Sequence, residues 1–168
     1  GSTLEKYRKG HQLLREYGIV TYDSFVIGFP GETDETVKET MQFIRENKPD
    51  FYRPLMWYCE TSTPIWKQRE KYKIEGSGFE WSHETMDWVT ACDYIDEFFL
   101  SINESVWRPE YNFDFINIFH MMHSGIKLEQ IKNLLNTFND AVRQKLINPE
   151  QQEISTEVFD KVKLACHF

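Results

Sequence analysis

The sequence predicts an α/β fold: an incomplete parallel strand–helix unit followed by an α-helical region. Three observations carry this prediction. A helix–strand–helix–strand order runs through the first third of the chain, the repeating unit of a parallel sheet or barrel. The first strand contains an uninterrupted apolar run, Phe25-Val26-Ile27, which predicts burial on both faces by covering helices. In the second half, apolar residues recur at spacings of three and four, the period of a helix with one buried stripe.

The first helix is read from Leu4, Tyr7, His11 and Leu14 and stops at Tyr17-Gly18. Ile19 to Phe29 follows as a strand rich in β-branched and aromatic residues. Pro30-Gly31 turns the chain, and Thr33 is placed to cap a helix with Asp34 and Glu35 in its first turn and a stripe of Val37, Thr40, Met41 and Ile44. Asn47-Lys48-Pro49-Asp50 ends that helix. Phe51 to Tyr58 reads as a second strand with Leu55, Met56 and Trp57 as its core, and Pro54 predicts an edge or a bulge because it has no N–H for a ladder. Cys59 to His83 has no clear period and is read as a long binding loop or lid. A helix capped by Ser82 is expected next, with Trp88, Cys92, Ile95, Phe99 and Ile102 on one face and a break at Pro109. Three more follow: one from about Asn112 to Met122, one with Leu128, Ile131, Leu135, Phe138 and Val142, and a last with Val158 or Phe159, Val162 and Cys166. The boundaries drawn from this are a tag scar at 1–2, the α/β part over 3–75 and the helical region over 76–168. Two strands with one crossover cannot close a sheet, so further strands are expected upstream. The open edge of the first strand then predicts self-association of the isolated chain.

Composition narrows the function. Among 168 residues, 19 lysines and arginines face 27 acids, a formal charge of −8, and the basic residues sit beside acidic ones. Nothing here builds the positive field that nucleic acid needs. No apolar run approaches the roughly 20 residues of a membrane span, and no signal pattern opens the chain. Cys59, Cys92 and Cys166 stand 33 and 74 residues apart, which is no metal knuckle and, as an odd number, no disulfide framework. A reducing cytoplasm is the expected compartment. Gly1-Ser2 reads as the remnant of a cleaved tag, and with no initiator methionine the chain is expected to be a piece of a longer protein.

The most informative string is Ser24-Phe-Val-Ile-Gly-Phe-Pro-Gly-Glu-Thr33, a buried strand that runs into a glycine turn and a capped helix. In parallel α/β folds, ligands bind at this end of a strand. Gly28 would let a flat ligand approach, Gly31 permits a tight turn, and Glu32 can tie the loop by accepting from backbone N–H groups. The alternative is an ordinary strand–turn–helix corner.

With Glu5-Lys-Tyr-Arg-Lys-Gly before it and Pro49-Asp50 after it, this string resembles the second half of the radical S-adenosylmethionine barrel, most closely its cobalamin-dependent branch. There the corresponding strand carries G-x-I-x-G-x-x-E, whose backbone edge holds the adenine of S-adenosylmethionine. Here Ser24 stands for the first glycine and Pro30 adds one residue before Glu32. The resemblance is specific over Glu5 to Asp50. It implies that the chain comprises the last two strands and helices of a partial (β/α) barrel followed by an α-helical C-terminal extension. It also implies a cofactor site of Ser24, Val26, Ile27, Gly28, Phe29, Gly31 and Glu32. Lys71-Tyr72, Phe79-Glu-Trp81-Ser-His83 and Thr85-Met86-Asp87 more loosely resemble a methyltransferase branch acting on phosphinate and related intermediates. The implied parent would bind a [4Fe–4S] cluster through C-x-x-x-C-x-x-C, cleave S-adenosylmethionine to a 5′-deoxyadenosyl radical, and methylate carbon or phosphorus through methylcobalamin. Neither the cluster cysteines nor a cobalamin domain is in this sequence.

Trp57, Tyr58 and Glu60 end the second strand and could position a small-molecule or carrier-bound substrate, or Trp57 could simply pack under the helices. Cys59 beside them is a candidate reactive thiol by its place at the strand's end, or else a partly buried inert cysteine. His120 and His123, three apart on a helix, have no third ligand and read as surface residues. Asp93, Asp96 and Glu97 read as a solvated helix face. Trp107-Arg108-Pro109-Glu110-Tyr111 reads as an aromatic-anchored loop that buttresses the fold or meets substrate. The sequence therefore points to part of a radical S-adenosylmethionine methyltransferase, inactive alone. A helical module that binds a partner or carrier domain is the alternative.

Overall fold

A computed structural model describes residues 3–109, 115–150 and 155–166. The chain divides into two compact units, Gly1–Ser105 and Val106–Phe168, so the division falls after Ser105 rather than after residue 75.

In the first unit, helix α1 (Leu4–Glu16) is capped by Thr3, whose hydroxyl accepts from the Lys6 N–H. Of its expected stripe only His11 is buried; Leu4, Tyr7 and Leu14 are exposed. His11 Nε2 lies 2.9 Å from Asp23 Oδ2, which ties α1 to strand β1 (Tyr22–Ile27). Strand β2 (Phe51–Met56) runs parallel to β1 in unbroken register from Tyr22 opposite Phe51 to Ile27 opposite Met56. Among the described residues β1 pairs with β2 alone. Between them helix α2 (Asp34–Asn47) begins at Thr33 in a reciprocal capping box with Thr36. Val37, Met41, Phe43 and Ile44 supply its buried face, and the Asn47 amide donates to the Phe43 carbonyl.

The start of the strand pair is pinned by one carboxylate. Asp50 Oδ2 accepts from both the N–H and the hydroxyl of Thr21, at 2.9 and 3.2 Å, while the Asp50 N–H donates to Thr21 Oγ1 at 2.9 Å. Phe51 N–H then donates to the Thr21 carbonyl, the first rung of the ladder.

Several expectations are corrected. β1 is not buried on both faces: Ile27 is buried, but Ser24 and Val26 point to an open face, Val26 at 53% exposure. The core of β2 is Phe51, Tyr52 and Pro54 with Trp57 beyond its end, whereas Leu55 and Met56 are half-buried. Pro54 produces no bulge and sits in register with Phe25. The segment Cys59 to His83 is not a structureless loop. It contains a 3₁₀ turn (Trp66–Gln68), a short helix α3 (Arg69–Tyr72) and an antiparallel sheet of β3 (Glu75–Ser77), β4 (Glu80–His83) and β5 (Met86–Asp87). Ser82 lies within β4, and helix α4 (Trp88–Ser101) is capped instead by Asp87, which accepts from the Thr90 N–H at 2.8 Å. Ala91, Phe98 and Phe99 are its buried residues, while Trp88 is exposed. The fully buried Tyr52 hydroxyl donates to the Phe98 carbonyl at 3.0 Å, which anchors α4 to β2.

Among its described residues the second unit has a short extended piece, Val106–Trp107, and three helices: α5 (Phe115–His123), α6 (Leu128–Ile147) and α7 (Thr156–Ala165). Its core is Ile118, Ile131, Leu134, Leu135 and Val158, so Phe138 and Val142 are not in the buried stripe and Val158, not Phe159, faces inward. The Asn139 amide donates to the Trp107 carbonyl at 2.9 Å. Glu110 and Tyr111 of the anchored loop lie outside the described residues.

Asp50→Ala deletes both acceptances from Thr21 and is expected to lower stability by about 1–3 kcal/mol in urea unfolding with an unchanged slope.

Candidate functional site

The end of β1 is built around the main chain of Gly28. Its φ of +85° is a conformation that L side chains rarely adopt. A Cβ there would stand 2.2 Å from a ring carbon of Trp81 and 3.2 Å from the Ala91 methyl. The face on which a side chain would stand is therefore filled by an indole, and the expectation that Gly28 opens that face to a flat ligand is corrected. The Gly28 N–H donates to the Glu32 carboxylate, the loop-tying role expected of Glu32. A turn with Glu32 N–H donating to the Phe29 carbonyl at 2.9 Å closes the loop. Gly31, at φ +97°, supplies the other left-handed residue. Burial raises the Glu32 carboxyl above its ordinary value, against the lowering effect of the Gly28 and Phe29 N–H groups.

The hairpin covers the ends of both strands. Trp81 Nε1–H donates to the Trp57 carbonyl at 2.8 Å, just past β2, and His83 Nε2 lies 3.0 Å from the Gly28 carbonyl, just past β1. Thr85 N–H points at His83 Nδ1 from 3.4 Å, so Nδ1 is the acceptor and Nε2 carries the proton given to Gly28. Trp81 and His83, two apart on β4 and so on one face, stack with centroids 5.2 Å apart and planes 2° from parallel. Cys59 and Gly78 exchange two backbone hydrogen bonds of 2.8 and 2.9 Å, holding the hairpin turn to the exit of β2. Burial lowers the His83 pKa and so favours the neutral ring, against the raising effects of its bond to Gly28 and of the Asp87 charge.

The predicted residues separate into three groups. Ser24 and Val26 lie on the open face of β1, and Phe29, 46% exposed, continues that surface at the strand's end. Ile27 and Gly28 are interior, with Gly31 and Glu32 forming the turn. Trp57 is buried against Trp81, 5.2 Å between ring centroids, and against Phe29, so it is a core residue and offers no face to a substrate. Tyr58 is half exposed and meets Phe79 edge to face at 4.9 Å. Glu60 is exposed and accepts from the Ser62 N–H, serving its own turn. Cys59 is buried and its thiol is pushed up by desolvation, away from reactivity. His120 and His123 are exposed, and His123 stacks on Phe119. Among the described residues no group of three or more histidine, cysteine, aspartate or glutamate side chains is arranged to hold a metal ion. No helix among them is long and apolar enough to cross a membrane. Sequence reasoning gave no role to His83. The signal was the alternation Trp81, His83 after Gly78, a short strand with one buried face.

Over 64 residues, 38% of this chain, the sequence is 41% identical to the anaerobic magnesium-protoporphyrin IX monomethyl ester cyclase of Rubrivivax gelatinosus. The matched stretch is 11% of that enzyme's length. No family model and no solved structure matches the chain significantly.

His83 binds fewer protons folded than unfolded, so its contribution to stability is present above its ordinary pKa of about 6.5 and is lost as pH falls below it. Unfolding free energy measured from pH 7.5 down to 5 should fall more steeply in the native sequence than in His83→Gln, and parallel curves would contradict the neutral assignment.

Proposed function

We propose that this chain is part of a radical S-adenosylmethionine enzyme of the cobalamin-dependent kind, and that the end of β1 with its loop is where the adenosyl group of S-adenosylmethionine rests. The observation that carries the reading is the Glu32–Gly28 tie: the carboxylate of the P-G-E-T string closes the loop onto the strand end, leaving the Ser24 and Val26 face and the Phe29 ring open beside it. The local identity with an anaerobic tetrapyrrole-ester cyclase supports the superfamily, and its anaerobic character suits an oxygen-sensitive cluster. Methyl transfer is the finer reading and rests on the motif resemblance.

An adenosyl group fits what this surface offers. Val26 and Phe29 would cover a flat ring, and the Ser24 hydroxyl would meet a polar edge. When bound, S-adenosylmethionine would supply the 5′-deoxyadenosyl radical after reduction by a cluster that other parts of the protein hold. The residues of this chain bind and orient: Glu32 keeps the loop closed, and Gly31 gives the turn its left-handed step. Substrate contact, on this reading, passes from Trp57 to the half-exposed Tyr58–Phe79 pair. The substrate would be a small or carrier-bound molecule, with nucleic acid and membrane outside the reading.

Glu32→Gln keeps the loop's shape and removes its charge. In the full-length protein it should weaken S-adenosylmethionine binding by about 1–3 kcal/mol, roughly five- to a hundredfold, while the melting temperature changes little. Unchanged affinity with lowered stability would show that the tie is only a folding device. Gly28→Val is no substitute for this test, because its side chain would strike Trp81.

A further inference from the structure

The main chain of Gly28 is held on both sides of its Cα by different parts of the chain. Glu32, four residues on, takes its N–H, whereas His83, 55 residues on, meets its carbonyl from the hairpin. His83 is 8% exposed, and three contacts set the position of its ring: it stacks on Trp81, Thr85 N–H points at Nδ1, and Trp57 lies edge-on at 6.3 Å. Trp81 is itself anchored by its bond to the Trp57 carbonyl, and Trp57 N–H donates to the Ile27 carbonyl at 2.7 Å. The ring nitrogen is thus delivered to Gly28 by a rigid aromatic stack rather than by a flexible side chain. The Gly28 N–H and C=O lie in the two peptide planes that flank its Cα, so with both held the φ and ψ of Gly28 cannot change without breaking one of the two bonds, and the direction in which the Phe29–Glu32 loop leaves the strand is set jointly by Glu32 and His83.

We propose that His83 is a positioning residue for the ligand loop: its Nε2–H donation to the Gly28 carbonyl holds Phe29–Glu32 in the arrangement that receives a nucleoside-type ligand. This rests on the reading of the β1 end as the adenosyl site. It extends that site to a hairpin lying outside the strand–turn–helix motif, and it gives the hairpin a task beyond covering the core.

Two variants separate positioning from packing. His83→Phe keeps an aromatic ring to stack on Trp81 and removes the donor; His83→Gln gives up the stack and carries a side-chain N–H at similar reach. Amide hydrogen exchange of Gly28 and Glu32 is measured in the native protein and both variants, with S-adenosylmethionine affinity and melting temperature alongside. The expected result is exchange at Gly28 and Glu32 accelerated about three- to tenfold in His83→Phe, affinity reduced by a similar factor, and both restored toward native values in His83→Gln even if the latter melts lower. A merely structural role would make His83→Gln the worse variant in every measurement, and that ordering would overturn the proposal, as would native exchange and affinity in a folded His83→Phe. If the native protein binds no S-adenosylmethionine, the reading of the β1 end fails, while the exchange rates still decide whether His83 holds the loop.

Discussion

The structure turns on one close approach: the Trp81 indole lying where a side chain of residue 28 would stand. Only glycine leaves room for it, and only a left-handed backbone at that residue turns the chain into the Pro30-Gly31 loop. Three consequences follow from the same contact. The hairpin is locked onto the ends of both strands, His83 is carried to the Gly28 carbonyl, and Trp57 is sealed into the interior. The glycine is therefore required by packing first, and any part it has in ligand binding is exercised through its main chain.

The two strands are held differently at their two ends. At the start, Thr21 and Asp50, 29 residues apart, exchange side-chain and backbone bonds immediately before the first pair of the ladder. At the finish, the restraint comes from the distant hairpin and is aromatic, with hydrogen bonds from Trp81 and His83 supplying direction. That restraint leaves the Ser24 and Val26 side chains exposed.

Local signals were legible in the sequence, and long-range ones were not. Thr33 was recognisable as a cap because capping depends on the three following residues, and the stripe of α2 was recognisable because helical period is local. The Glu32 tie spans four residues and could be foreseen. By contrast, the apolar run Phe25-Val26-Ile27 implied burial on both faces, yet Val26 is exposed while Ile27 is buried, because successive side chains alternate between faces. The hairpin was missed since its strands are two to four residues long and rest on Gly76 and Gly78, which read as loop. Trp57 was ambiguous from sequence because the residue that buries it, Trp81, is 24 positions away.

The most direct test is a map of backbone amide shifts as S-adenosylmethionine is titrated into the isotope-labelled protein. The account predicts the largest shifts at Ser24, Val26, Phe29 and Gly31, with smaller ones at Glu32 and none at the Thr21–Asp50 end of the strands. Saturable binding with shifts confined elsewhere, or no shift along Ser24 to Glu32, would contradict it.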